Sequence, residues 1–135
     1  MITRRSVLET FAVAIMCGTV SPVFAASRRV DAIGKFDTDN DGTLDLAEAK
    51  KAASAMFARL DRDHDGTLDK RELAGRISGR DFEAADPDHD GTLTLEEYLG
   101  VVERRFNAAD PDKDGTLDAK ELNTGAGQAL LRLLR

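Results

Sequence analysis

Four twelve-residue segments of the chain place acidic side chains at the same relative positions. The segments are Asp37–Glu48, Asp61–Glu72, Asp86–Glu97 and Asp110–Glu121, and their starts are separated by 24, 25 and 24 residues. Each has aspartate at positions 1, 3 and 5, glycine at 6, threonine at 7, leucine at 8 and glutamate at 12. Because carboxylate and carbonyl oxygens are the ligands of hard cations, the pattern indicates cation binding.

The spacing is that of the EF-hand loop. In such a loop the side chains at positions 1, 3 and 5 converge on the ion, and position 7 supplies its carbonyl oxygen. Position 9 ligates directly or through water, and the glutamate at position 12 supplies both oxygens. The predicted metal ligands are Asp37, Asp39, Asp41, Thr43, Asp45 and Glu48 in loop 1; Asp61, Asp63, Asp65, Thr67, Asp69 and Glu72 in loop 2; Asp86, Asp88, Asp90, Thr92, Thr94 and Glu97 in loop 3; and Asp110, Asp112, Asp114, Thr116, Asp118 and Glu121 in loop 4.

The distribution of charge favours metal ions over other partners. Apart from Glu9, the chain has 24 acidic residues, and 19 of them stand at predicted ligand positions, which a merely solvated acidic surface would not produce. The net charge of −6 argues against nucleic acid as a partner. His64 and His89 occupy position 4, which normally faces solvent, so we expect exposed spacers rather than transition-metal ligands. No nucleophile–base set is visible, and we expect no enzymatic activity.

Residues 1–25 have the features of a signal peptide. Arg4 and Arg5 precede an apolar run from Phe11 to Val20, and small residues favour cleavage after Ala25. The start resembles a twin-arginine export signal, and an ordinary Sec signal is the alternative. We therefore expect a periplasmic or secreted protein, with no membrane association after cleavage and one metal-binding domain over residues 26–135. The only cysteine lies in the leader, so no disulfide is expected.

The short intervals between loops predict shared helices. Only the twelve residues Ala49–Leu60 separate loops 1 and 2, so the helix that leaves one loop must also enter the next. Apolar residues recur there at helical spacing, and the interval between loops 3 and 4 has the same pattern. The middle linker, Leu73–Ala85, differs because Gly75 and Gly79 interrupt it, and Ser78 has the character of a helix cap.

This wiring predicts the architecture. A twelve-residue helix is roughly 18 Å long and holds its two loops at opposite ends. A bend in the middle linker then folds the second long helix back beside the first. We expect an all-α, compact helical bundle in which loop 1 pairs with loop 4 and loop 2 with loop 3, the leucines at position 8 pointing inward. A last helix capped by Thr124 should close the core.

In these features the chain resembles the lanmodulin family. The resemblance covers Val30–Arg135 and rests on the short intervals, the export signal, proline at position 2 of loops 3 and 4, and aspartate at position 9. It extends to the non-ligand stretches Gly75–Ser78, Glu97–Leu99 and Ala126–Arg135. The resemblance implies a periplasmic protein that binds up to four lanthanide(III) ions selectively over calcium, with loops paired 1 with 4 and 2 with 3.

The chain departs from that family at three positions. Position 2 is Thr38 in loop 1 and Arg62 in loop 2 instead of proline, and position 9 of loop 3 is Thr94 instead of a carboxylate. The alternative function is a periplasmic calcium buffer or sensor on the same loops. A dockerin-like adhesion module is a further alternative, although dockerins have two such repeats. No particular protein partner is predicted.

Overall fold

The structure, a computed structural model, describes residues 33–135. The predicted signal peptide, its cleavage site and Cys17 lie outside these residues. Residues 33–36 are helical and lead directly into loop 1. Among the described residues, no helix combines the length and the apolar character needed to cross a membrane.

Two long helices form the frame of the molecule. Helix α1 runs over Leu46–Leu60 and helix α3 over Leu95–Ala109. Both are bounded by loop residues: α1 is capped by Asp45 of loop 1 and ends at Asp61 of loop 2. Each long helix therefore joins two loops without a linker, as the spacing predicts. At 15 residues, each is about 22 Å long.

Short strands join the loops in pairs. Strand β1 (Leu44–Asp45) pairs antiparallel with β4 (Thr116–Leu117), so loop 1 lies beside loop 4. Strand β2 (Thr67–Asp69) pairs with β3 (Thr92–Thr94), so loop 2 lies beside loop 3. The leucines at position 8 face each other across the ladders and are fully buried; they are Leu44, Leu68, Leu93 and Leu117.

These ladders correct the expectation of an all-α fold. Most of the described chain is helical, but it also contains two two-stranded sheets. Strands this short leave no alternating pattern in the sequence, because positions 7 to 9 of a loop are already dictated by ion ligation and by the buried leucine. Their backbone groups find partners only when two loops meet.

The middle linker bends as expected. Ala74 and Gly75 adopt consecutive left-handed conformations, with φ of 46° and 76°, which no helix accommodates. Helix α2 (Gly79–Ala85) then begins behind Ser78, whose side chain accepts the N–H of Asp81 at 3.1 Å. Loop 2 is thus followed by a turn rather than by a helix, and the second half of the chain folds back on the first.

The C-terminal helix closes the core. Helix α4 (Ala119–Leu122) follows loop 4, and α5 (Gly125–Leu134) begins behind the predicted cap Thr124. Helix α5 packs against both long helices, and four of its leucines are buried: Leu130, Leu131, Leu133 and Leu134. All four are buried because the exposed face of α5 is narrow.

Two polar side chains tie α5 to the frame. The buried Tyr98 hydroxyl donates to the Leu133 carbonyl at 2.7 Å, and burial raises the pKa of Tyr98 to about 12, partly offset by Arg76 and Arg105. The Arg105 guanidinium donates to the carbonyls of Arg76, in the bend, and of Ala129, in α5. These bonds fix the last helix and the bend to the same helix, α3, which carries loops 3 and 4 at its ends.

Candidate metal centre

Each loop brings three carboxylates together. The side chains at positions 1, 3 and 12 offer oxygen atoms that all lie within 4.8 Å of one another in every loop. The four groups are Asp37, Asp39 and Glu48; Asp61, Asp63 and Glu72; Asp86, Asp88 and Glu97; and Asp110, Asp112 and Glu121. The aspartates at position 1 are buried, because each ends the incoming helix against the core.

The remaining predicted ligands shape the loops and lie outside these groups. The aspartate at position 5 accepts both the N–H and the hydroxyl of the threonine at position 7; for Asp65 and Thr67 both bonds are 2.8 Å. The same pair of bonds recurs in the other three loops, between Asp41 and Thr43, Asp90 and Thr92, and Asp114 and Thr116. One oxygen at position 5 is thereby used to hold the loop, which leaves the other for an ion.

The glycine at position 6 makes the central turn. Gly42, Gly66, Gly91 and Gly115 have φ between 85° and 88°, where a side chain would be strained. Each glycine N–H donates to the carboxylate at position 1, at distances of 2.9 to 3.1 Å. Position 4 is also left-handed, and both histidines there, His64 and His89, are exposed and absent from the carboxylate groups.

Position 9 caps the segment that leaves the loop, which is a helix after loops 1, 3 and 4 and a turn after loop 2. In loop 1 the Asp45 carboxylate accepts the N–H of Glu48 at 2.7 Å, while the Asp45 N–H donates back to the Glu48 carboxylate at 3.2 Å. Loops 2 and 4 repeat this arrangement. In loop 3 the Thr94 hydroxyl additionally donates to Glu97, at 2.9 Å. Thr94 therefore donates a side-chain hydrogen bond to the glutamate at position 12, which the aspartates at position 9 of the other loops do not.

Crowding of the carboxylates perturbs their protonation. The Asp41 N–H lowers the pKa of Asp39, but partial burial and the nearby charges of Asp41 and Glu48 outweigh it, so that the pKa is raised. Burial raises the pKa of Asp37, but the N–H groups of Gly42 and Asn40 outweigh it, so that the pKa is lowered. In loop 3 the pKa of Asp86 is lowered and that of Asp88 is raised. In loops 1 and 3, therefore, the lowered pKa at position 1 favours the carboxylate form, whereas the raised pKa at position 3 disfavours it.

Within residues 33–135, two ligand oxygens are buried and have no hydrogen-bond partner. They are Oδ1 of Asp61, in loop 2, and Oδ1 of Asp110, in loop 4. An unpaired buried carboxylate oxygen is costly in a folded protein and calls for a partner. A cation in the loop supplies that partner, so the donor set fits a hard, oxygen-seeking ion.

The sequence pattern missed one set of contacts at position 2. The backbone N–H of Thr38 and of Arg62 donates to the glutamate that closes the same loop, Glu48 and Glu72 respectively. Loops 3 and 4 have proline at this position and therefore no N–H to donate. Every residue except proline has a backbone N–H, so the residue type does not predict such a bond. The only sign of the difference in the sequence is the proline at position 2 of loops 3 and 4.

Comparison with known proteins agrees with the loop geometry. The family model described as EF hand matches residues 30–51, 54–78, 80–102 and 101–126, one match for each loop. Lanmodulin from Methylorubrum extorquens is 52% identical over 73 residues, which cover 52% of this chain and 54% of lanmodulin. The chain thus spans about half the length of this curated relative. The similarity to lanmodulin seen in the sequence is confirmed.

Proposed function

This chain belongs to the EF-hand family, and we propose that it binds up to four lanthanide(III) ions selectively over calcium. The observation that carries metal binding is the convergence of three carboxylates in every loop, with buried ligand oxygens of Asp61 and Asp110 that lack other partners. The predicted ligands at positions 1, 3, 5, 7, 9 and 12 of the four loops would hold the ions. In this role the protein is a binding protein without catalytic activity.

The charge of the loops supports a trivalent ion. Loops 1, 2 and 4 each offer five carboxylates at ligand positions, and loop 3 offers four. Attraction between a cation and each carboxylate grows with the charge of the cation, and the same holds for relief of repulsion within the empty loop. Lanthanide ions are close to calcium in size but carry one more charge. The similarity to lanmodulin supports the same choice of ion.

The alternative is a calcium buffer or sensor. It is favoured by the three departures from the lanmodulin pattern, at Thr38, Arg62 and Thr94. Of these, Thr94 bears most directly on the ion, because it removes one formal charge from loop 3. Calcium loops commonly use fewer than five carboxylates. Loop 3, with four, is therefore closer to a calcium loop than loops 1, 2 and 4 are.

We also propose an exported protein. Residues 1–25 would serve as a signal peptide of the twin-arginine or Sec type, and residues 26–135 would form the metal-binding domain in the periplasm or outside the cell. No protein partner is assigned.

A titration with two ions tests the choice of metal. We expect lanthanum to saturate the circular dichroism change at a free concentration lower than that of calcium by roughly two orders of magnitude or more, because every loop gains from the extra charge. Free ion concentrations should be set with chelator buffers for both metals. Equal midpoints for lanthanum and calcium would favour the calcium buffer.

Substitution of Thr94 tests the charge argument within one loop. We expect Thr94→Asp to tighten lanthanum binding at loop 3 by about tenfold, because it adds a carboxylate at position 9 and removes the hydroxyl that bonds to Glu97. Aspartate also caps helices well, so α3 should be unaffected. The measurement is a site-resolved NMR titration, in which loops 1 and 4, at the far end of α3, should change little.

Thr94→Ser is the matched control, because it keeps a hydroxyl and a capping oxygen and adds no charge. We expect it to behave as the unmodified chain does. If Thr94→Asp leaves the loop 3 midpoint unchanged, charge at position 9 does not govern affinity here, and the argument for selectivity from carboxylate count fails.

A further inference from the structure

Loops 1 and 4 form a pair with the same ligand residue types, and their other residues differ at positions 2, 4, 10 and 11. They lie side by side through the β1–β4 ladder, and they have the same six ligand residue types. Position 2 is Thr38 in loop 1 and Pro111 in loop 4. Loops 2 and 3 offer no such clean comparison, because they differ at both position 2 and position 9.

In loop 1, groups of the loop itself donate hydrogen bonds to both oxygens of the ligands at positions 1 and 12. One oxygen of Glu48 accepts the Thr38 N–H at 2.5 Å and the Thr38 hydroxyl at 2.9 Å, and the other accepts the Asp45 N–H. At position 1, one oxygen of Asp37 accepts the Asn40 N–H at 2.6 Å and the other accepts the Gly42 N–H at 2.9 Å. Glu48 is also only 8% exposed, the lowest value among the four position-12 glutamates.

Loop 4 does not satisfy its ligands. Pro111 has no N–H, and Glu121 accepts only the Asp118 N–H, at 2.9 Å, among the described residues. At position 1, Asp110 accepts the Gly115 N–H at 3.1 Å through one oxygen, and its other oxygen is buried without a partner. The same two ligand positions that are fully bonded in loop 1 are thus half-bonded in loop 4.

We propose that, within this pair, loop 4 binds its ion at a lower free concentration than loop 1. Thr38 is the positioning residue responsible, because its hydrogen bonds to Glu48 compete with the ion in loop 1. The proposal rests on the proposed metal-binding function. An ion entering loop 1 competes with hydrogen bonds that already neutralise part of the charge on Glu48 and Asp37. An ion entering loop 4 meets oxygens with no such donors and relieves a buried unpaired one. In the folded chain, the order follows from the hydrogen bonds that an entering ion must displace in each loop, because the two sets of ligand residues are the same.

Two other effects of position 2 predict different results. If the Thr38 bonds only hold Glu48 over the site, they pre-organise loop 1, and loop 1 should fill first. If the proline ring acts by stiffening the backbone of loop 4, the Thr38 hydroxyl should be irrelevant. Variants at position 2 separate these effects from the competition proposed above.

The experiment is an NMR titration of the full, ¹⁵N-labelled chain with chelator-buffered lanthanum chloride, a diamagnetic probe. The reporters are the amides of Gly42 and Gly115, because each donates to the position-1 ligand of its own loop. We expect the Gly115 signal to reach its bound position at about tenfold lower free lanthanum than the Gly42 signal, the effect of removing one hydrogen bond to a charged group.

Two variants test the assignment to Thr38. Thr38→Val keeps the N–H and the branched shape but removes the hydroxyl donor, and we expect it to lower the Gly42 midpoint several-fold while leaving Gly115 unchanged. The reciprocal exchange, Thr38→Pro with Pro111→Thr, should invert the order of the two signals. Helical circular dichroism of both variants at saturating lanthanum checks that the fold is retained.

The outcomes separate this proposal from the proposed function. If neither glycine signal responds to lanthanum, metal binding itself is wrong. If both respond but move together, or Gly42 moves first, the loops bind metal and the order proposed here is overturned. An unchanged Gly42 midpoint in Thr38→Val would assign the difference to the proline ring and would also overturn the role of Thr38.

Discussion

Excess chelator is expected to abolish most of the helical circular dichroism of the chain at neutral pH. Each loop places one oxygen atom from each of three carboxylates within 4.8 Å of the others, and the chain as a whole has a net charge of −6. Hydrogen bonds within the loops offset part of this repulsion, and without a cation the burial of apolar side chains must oppose the rest. The far-ultraviolet spectrum, recorded with chelator and then with excess lanthanum, measures the change directly.

The loss should spread to the helices because the loops supply the helix ends. The two long helices are capped at their N-termini by Asp45 and Thr94, both from position 9, and end at Asp61 and Asp110, both from position 1. Each N-cap contributes about 1 kcal/mol to its helix. The ladders that bring the helices side by side are also built from loop residues. When a loop becomes disordered, the helix loses its cap, the β-ladder between the paired loops is lost, and the helices are no longer held in register.

Monovalent salt provides the control for this interpretation. If repulsion between carboxylates unfolds the metal-free chain, raising sodium chloride toward 1 M should restore part of the helicity, because the Debye screening length falls to about 3 Å. Lanthanum should restore it fully at far lower concentration. A helical spectrum that is identical with chelator and with metal would contradict coupled folding and would leave the loops as pre-formed sites.

The sequence predicts the ligand positions and the helices that join them because both depend on spacing. The twelve-residue interval between loops 1 and 2 leaves no room for two helices, and the glycine pair with Ser78 marks the bend. The structure agrees at each of these places. Pattern alone cannot reveal contacts between backbone and side chain across a loop. The bonds from Thr38 and Arg62 to the closing glutamates belong to this class, and so does the pairing of two-residue strands.

Gly127 is a second feature that the sequence does not reveal. In the sequence it is an ordinary glycine near the start of a helix, and glycine usually destabilises a helix. In the structure it marks the closest approach between two backbones. A Cβ atom built at Gly127 would lie 2.3 Å from the Glu121 carbonyl oxygen and 2.5 Å from the Leu122 Cα. Helix α5 therefore rests directly on the backbone of the residue that closes loop 4.

Gly127→Ala is expected to destabilise the metal-bound chain by about 3 kcal/mol, toward the upper end for over-packing, because the obstructing atoms are backbone and cannot rotate away. Relief requires α5 to move off α4, which also shifts Glu121. Loop 4 should therefore lose affinity for lanthanum, while loops 2 and 3, at the other end of α3, should be affected less. Thermal unfolding with saturating lanthanum measures the first effect, and the Gly115 amide reports the second.

Gly125→Ala is the matched control for this prediction. Gly125 lies in the same first turn of α5, but an added Cβ there meets nothing within 4 Å. Alanine should be neutral at Gly125 or stabilise the helix by up to about 1 kcal/mol, since it favours helix over glycine. If both variants unfold at the same temperature as the unmodified chain, α5 does not bear on α4 through Gly127. Loop 4 would then be positioned by the β1–β4 ladder and the cap at Asp118, and its affinity would be independent of the C-terminal helix.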